Sequence, residues 1–121
     1  PATTEVANED EGIKTLYTGI DLTGWNGDAD HWTVGGWSLM YDGSGNDLTT
    51  SATYGKFEIM MDARCEDPDG EMYLMIDGEK RTIPINAGKW KRFVTQGEGG
   101  TISLGGSSKA EFCNIFIRPL D

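Results

Sequence analysis

The stretch YGKFEIMMDARC, Tyr54 to Cys65, decides the fold. Phe57, Ile59, Met61, Ala63 and Cys65 fall on one side of a period-two pattern, and Glu58, Met60, Asp62 and Arg64 on the other. Successive side chains of an extended chain point in opposite directions, so this alternation marks a strand with one face in a core and one facing out. The outward set holds two carboxylates and a guanidinium. Those groups suit either a sugar-processing site or a solvated sheet surface.

Working outward from it, the segment HWTVGGWSLMYDG (31–43) carries Trp32 and Val34 before Gly35-Gly36, and Trp37, Leu39 and Tyr41 after it. Two alternating runs around a glycine pair predict a β-hairpin, since both glycines accept positive φ. GSGND (43–47) and EDPDG (66–70) read as loops. EMYLMI (71–76) and KRTIPI (80–85) predict a second hairpin with Asp77-Gly78 at its tip. Pro84 cannot donate to a ladder, which assigns its strand to an edge or a bulge. KWKRFVTQ, TISL and AEFCNIFIRPL supply the last three strands, and no long segment has a helical period. The expectation is an all-β sandwich of about eight short antiparallel strands, in one domain over residues 13–121. Residues 1–12, PATTEVANEDEG, hold Val6 as their only large apolar group and read as a flexible linker or terminus.

Composition narrows the function classes. The 121 residues suit one domain, and 17 glycines fit the turns of an all-β chain. Twenty acidic against ten basic residues give a net charge of −10, which repels phosphate backbones and anionic membranes, so nucleic-acid and membrane partners are not expected. No apolar run approaches the roughly 18 residues of a membrane span. The start PATTEV, without Met, reads as a processed or excised chain.

The order LYTGIDLTGW, WTVGGWSLMYDG, LTTSATYGKFEIMMDAR, KW and KAEFCNIFIRPL resembles the 3-keto-disaccharide hydrolase family, once called a domain of unknown function. The resemblance covers roughly residues 13–65 and 87–120, and the closing segment is its most specific part. It implies a concanavalin A-like jelly-roll sandwich, a carbohydrate ligand, and a secreted or periplasmic bacterial setting, often within a longer chain of several domains. Two of the family's motifs, an acidic central strand and a WLNG-like strand, have no counterpart between Arg64 and the closing segment. The chain therefore reads as a shortened member whose matches are scaffold, and no catalytic residue carries over. The resemblance also sets the strand ending at Cys65 beside the strand containing Cys113, so a Cys65–Cys113 disulfide is expected in an exported protein. Phe112 and Ile115 both look buried, which implies a bulge near Asn114.

Candidate chemistry is sparse. Glycoside hydrolysis needs two carboxyl groups about 5–5.5 Å or about 6.5–9.5 Å apart. Glu58 and Asp62 share a face but stand roughly 13 Å apart along the strand, and Arg64 could neutralise Asp62. His31, the single histidine, excludes a multi-histidine zinc site, but Asp28 and Asp30 could hold it as a base. Asp42, Asn46 and Asp47 in one loop, and Asp67 and Asp69 with Glu66 and Glu71 in another, could ligate calcium as a cofactor. Neither loop keeps EF-hand spacing, and tight turns use the same residues. Of the four tryptophans, Trp25, Trp32 and Trp90 stand at or beside scaffold positions of the family, while Trp37 replaces a smaller residue. The candidate ligand contacts are Trp37, Tyr41, His31, Asp30, Glu58, Asp62 and Arg64. Three readings stand: a carbohydrate-binding or accessory module, a minimal 3-keto-glycoside hydrolase or lyase, and a protein-interaction or structural module of a larger exported protein.

Overall fold

The alternating segment forms a strand from Phe57 to Arg64 that lies inside a sheet. In the computed structural model, which describes residues 14–17, 21–27, 30–35, 38–86 and 88–120, eleven strands are present and no helix occurs among the described residues. They are β1 (Lys14–Thr15), β2 (Trp25–Asn26), β3 (Trp32–Gly35), β4 (Ser38–Tyr41), β5 (Leu48–Thr50), β6 (Phe57–Arg64), β7 (Met72–Ile76), β8 (Glu79–Ile83), β9 (Lys91–Gly97), β10 (Ile102–Gly106) and β11 (Ala110–Pro119). One sheet has the order β3-β4-β11-β6-β9, with β1 also paired to β11, and the other β2-β5-β10-β7-β8. Every pairing is antiparallel. The count exceeds the expected eight because β1, β2 and β5 are two or three residues long, too short for a period to show.

The core fills the space between the sheets. Phe57, Ile59 and Met61 of β6, Leu39 of β4, and Phe112 and Ile115 of β11 come from one side. Leu48, Met72, Leu74, Ile83, Ile102 and Leu104 come from the other, all at most 1% exposed. Each such side chain contributes about 1.5–3 kcal/mol by leaving water, so the alternation that marks the strands also drives the two sheets together. Trp32 stacks on Tyr41 at 4.5 Å and tilts against Phe112 at 5.9 Å, closing one end of this core.

The second hairpin turns at the residues expected, whereas the first is offset by one, because Gly35 is the last residue of β3 and not part of the turn. Gly35 pairs with Ser38 across the β3–β4 turn, whose residues 36 and 37 lie outside the described residues. Asp77 (φ 52°) and Gly78 (φ 84°) make the β7–β8 turn, both left-handed as a two-residue hairpin of this type requires. Pro84 follows directly on β8, an edge strand, where its missing N–H disturbs no ladder. Residues 1–12, read as a linker, also lie outside the described residues.

β11 and β6 pair from Pro119↔Phe57 to Glu111↔Arg64, with a register shift between Cys113 and Phe116. The bulge is the one implied by Phe112 and Ile115, and Asn114 takes φ 51° within it. The expected disulfide is not formed: both thiols are free. Cys65 is buried, on the face of Ala63, whereas Cys113 pairs with Asp62 and faces out. The bulge comes after Cys113, so it cannot restore a shared face with Cys65.

Candidate functional site

Residues directly opposite one another on antiparallel strands share a face, so the β9-β6-β11 registers lay out the outer surface of the larger sheet row by row. Gln96, Glu58 and Arg118 form the first row, and Val94, Met60 and Phe116 the second. Arg92, Asp62 and Cys113 form the third, with Asn114 beside it. In the fourth, Arg64 pairs with Glu111, Glu111 with Met40 of β4, and the Arg64 guanidinium carbon sits 5.2 Å from the centre of the Trp90 ring.

Each carboxylate of the face is tied to an arginine. Arg118 Nη2 donates to Glu58 Oε1 at 2.8 Å. Arg92 donates through Nε (2.8 Å) and Nη2 (3.0 Å) to the two oxygens of Asp62, and Asn114 Nδ2 adds a third bond at 2.9 Å. Arg64 Nε and Nη2 both donate to Glu111 Oε1, at 2.8 and 2.5 Å. The left-handed turn at Asn114 puts an amide on this face where a regular strand would point a side chain inward. The Arg92 hydrogen bonds, followed by that of Asn114, hold the Asp62 carboxyl below the usual carboxylate range against the opposing effect of burial. Sequence reasoning paired Arg64 with Asp62 along one strand. The structure pairs Asp62 with Arg92 and Arg64 with Glu111, because direct cross-strand neighbours are closer than i, i+2 neighbours.

Beside the fourth row a cavity of about 250 Å³ is lined by Met40, Tyr41, Arg64, Glu66, Lys109, Ala110 and Glu111. Trp90 stands next to it, 40% exposed, directly before β9. Only Trp90 and Val94 are exposed large hydrophobics among the described residues, and both belong to this face. An open indole beside charge-paired polar groups can receive the apolar face of a ring while the rim accepts and donates hydrogen bonds. Of the candidate ligand contacts, Glu58, Asp62 and Arg64 share this face, spread over about 20 Å of β6, and Arg64 and Tyr41 line the cavity. Trp90, Arg92, Glu111, Arg118 and Asn114 were missed; the basic flanks of Trp90 in GKWKR were the available signal that this tryptophan lies outside the core.

The remaining candidates go elsewhere. Tyr41, although it lines the cavity, is buried, stacks on Trp32 and donates its hydroxyl to the Gly45 carbonyl. His31 is held by Asp42, Nδ1 to Oδ2 at 2.6 Å, with Ser44 Oγ 3.2 Å away. Asp30 is exposed in a turn, while Asp28 and Trp37 lie outside the described residues. The backbone N–H of Ser44 and then the His31 ring hold Asp42 below its ordinary pKa. Of the calcium candidates, Asp47 accepts from the Tyr73 hydroxyl at 2.5 Å, and burial together with that bond pushes the phenol's pKa up. The Asn46 carbonyl takes Trp32 Nε1 at 2.8 Å. Asp67 caps the Asp69 N–H and accepts from Ser108 Oγ, both at 2.9 Å, and Asp69 is exposed. Among the described residues no three His, Cys, Asp or Glu side chains form a group able to hold a metal ion. No helix of the described residues is long and apolar enough to cross a membrane.

No protein-family model and no curated protein sequence matches the chain. Solved structures do. A proposed glycosyl hydrolase from Parabacteroides distasonis ATCC 8503 superposes with a TM-score of 0.74 at 16% identity, covering 100% of this chain and 99% of that one. The C-terminal CBM6 of LamC, a marine laminarinase from Zobellia galactanivorans, superposes with a TM-score of 0.52 at 12% identity, covering 88% of this chain and 94% of that one. At these identities the likeness is one of architecture: the chain is an all-β jelly-roll sandwich of the kind seen in both.

Proposed function

We propose that the protein is a carbohydrate-binding or accessory module that seats a sugar ring against Trp90, with Arg64, Glu111, Glu66 and Lys109 contacting its hydroxyls. The observation that carries this reading is the exposed Trp90 ring beside the cavity, on a face whose acids are already paired. A glycosidase needs a general acid whose pKa is raised, and Asp62 is shifted the other way. Both architectural relatives come from sugar-handling proteins, a proposed glycosyl hydrolase and a CBM6, which supports the ligand class. An exported bacterial setting with further domains goes with this reading, and its support is the motif resemblance, above all AEFCNIFIRPL.

The 40% of Trp90 left open amounts to roughly 100 Å² of a side chain of about 250 Å². At about 25 cal/mol per Å² that contact is worth up to about 2.5 kcal/mol. Titration calorimetry against a broad panel of neutral mono- and oligosaccharides should therefore find a binder that Trp90→Ala weakens by roughly tenfold to sixtyfold. A panel without a binder, or full affinity in the variant, refutes the reading.

The full-length superposition on a proposed glycosyl hydrolase supports a glycosidase as second reading, and the motif resemblance makes it a minimal 3-keto-glycoside hydrolase or lyase. Glu66 and Glu111 line the same cavity and are its acid–base candidates. Release of 3-keto-glucose from a 3-keto-disaccharide, lost in Glu66→Gln and Glu111→Gln, would support this reading over the first.

A further inference from the structure

The larger sheet's outer face is banded in a way that a single sugar site at Trp90 does not use. Ionic rows, Glu58–Arg118 and Arg92–Asp62–Asn114, flank the apolar row Val94–Met60–Phe116. Val94 is 50% exposed, and Met60 and Phe116 are half-buried. Four residues along β9 separate Val94 from Trp90, about 14 Å at about 3.4 Å per residue. The two apolar platforms are thus too far apart for one pyranose ring and are joined by a row of hydrogen-bonding side chains. From Glu58 to Arg64 the banded face runs about 20 Å along β6.

Charge says what kind of ligand fits. The chain carries −10 overall, yet the three ion pairs of this face set Arg64, Arg92 and Arg118 against Glu58, Asp62 and Glu111, one to one. Their charge is spent within the sheet plane, so the face offers a charged partner little to complement. Its oxygens and N–H groups remain polar toward hydroxyls, and the apolar row offers contact to C–H-lined ring faces. Resting on the carbohydrate reading above, we infer that this face is a track for a neutral polysaccharide lying along β6, with Trp90 at one end and the Val94–Met60–Phe116 row as a second platform.

The test is calorimetry of the intact protein with a size ladder, disaccharide upward, of whichever neutral glycan the panel identifies. Affinity should climb with chain length and level off once the oligosaccharide spans about 20 Å. Val94→Ser and Met60→Ser should weaken long oligosaccharides by about fourfold per methylene lost from contact while leaving the disaccharide affinity unchanged. Raising the ionic strength should change neither value, since the ligand is neutral. Length-independent binding still sensitive to Trp90→Ala overturns the track but leaves the sugar site standing, whereas a panel without a binder overturns both. Sedimentation showing a concentration-dependent dimer that Val94→Ser abolishes also overturns the track, because a second copy then occupies the face.

Discussion

Replacing Thr50 by Val isolates one hydrogen bond that the backbone ladder leaves to a side chain. β10 and β5 pair at Ser103↔Thr49 and Leu104↔Leu48, and the ladder stops there. The next donor, the Ile102 N–H, is taken by Thr50 Oγ1 at 3.0 Å, and the same hydroxyl donates to the Ala52 carbonyl at 2.9 Å. Thr50 is 4% exposed, the one buried polar residue among the described ones, and Ile102 is fully buried. Valine keeps the shape and removes both bonds. Ala52 is exposed, so its carbonyl regains water; the Ile102 N–H does not. Leaving one buried donor unpaired costs about 1–3 kcal/mol, or a fall in Tm of roughly 4–12 °C for a domain of about this size. Urea unfolding of wild type, Thr50→Val and Thr50→Ser measures it, the serine keeping both bonds and giving up a methyl worth about 0.8 kcal/mol. A valine variant within about 0.5 kcal/mol of wild type would refute the reasoning, since surface-like changes fall in that range.

Asp62 has its pKa depressed in the fold, so its stabilisation is fully present above the unfolded carboxylate value near about 3.9 and is lost as pH falls through the lower folded value. Asp62→Asn should therefore flatten the acid limb of a Tm-against-pH profile; superimposable limbs below about pH 5 would count against it. At Asn114, φ 51°, glycine should be tolerated, whereas valine, rarely left-handed, should cost about 1–3 kcal/mol in denaturant unfolding. Gly43 sits at φ 92° with the Lys109 backbone nitrogen 2.9 Å from where a Cβ would lie, so Gly43→Ala should destabilise by at least about 1 kcal/mol. Reducing agent should leave Tm unchanged, because Cys65 and Cys113 point to opposite faces; a shift under reduction would reveal a bridge.

The sequence was most legible where one residue's neighbours set its geometry. FEIMMDAR alternates because one face is buried, DG can turn left-handed, and Phe112 and Ile115 require an extra residue between them. What stayed hidden depends on register across distant strands. That Asp62 meets Arg92 and Asn114, 30 and 52 residues away, and Arg64 meets Glu111, 47 away, follows from which strands neighbour β6 and at what offset. Cys113 shows the same limit: a strand position can be read locally, but its facing relative to Cys65 is fixed only by the pairing Cys113↔Asp62. Trp90 stands at or beside a family scaffold position in the sequence, and its exposure comes from its place directly before β9.

The arrangement around β11 also sets the order of assembly. One edge of this strand is shared by β4, at Ala110–Phe112, and β1, at Phe116–Ile117, while β6 takes the other. Residues 14–15 thus wait for partners about a hundred positions downstream, and β6 can be closed on both sides only once residues 111–119 have left the ribosome. Loop closure over such distances precedes any reward from contact. The larger sheet therefore zips up only after residues 111–119 have emerged, on the millisecond-to-second scale of β-sandwiches, with β6 holding one unpaired, half-apolar edge until β11 arrives. During that interval the strand that decides the fold is also the segment most open to pairing with the wrong chain.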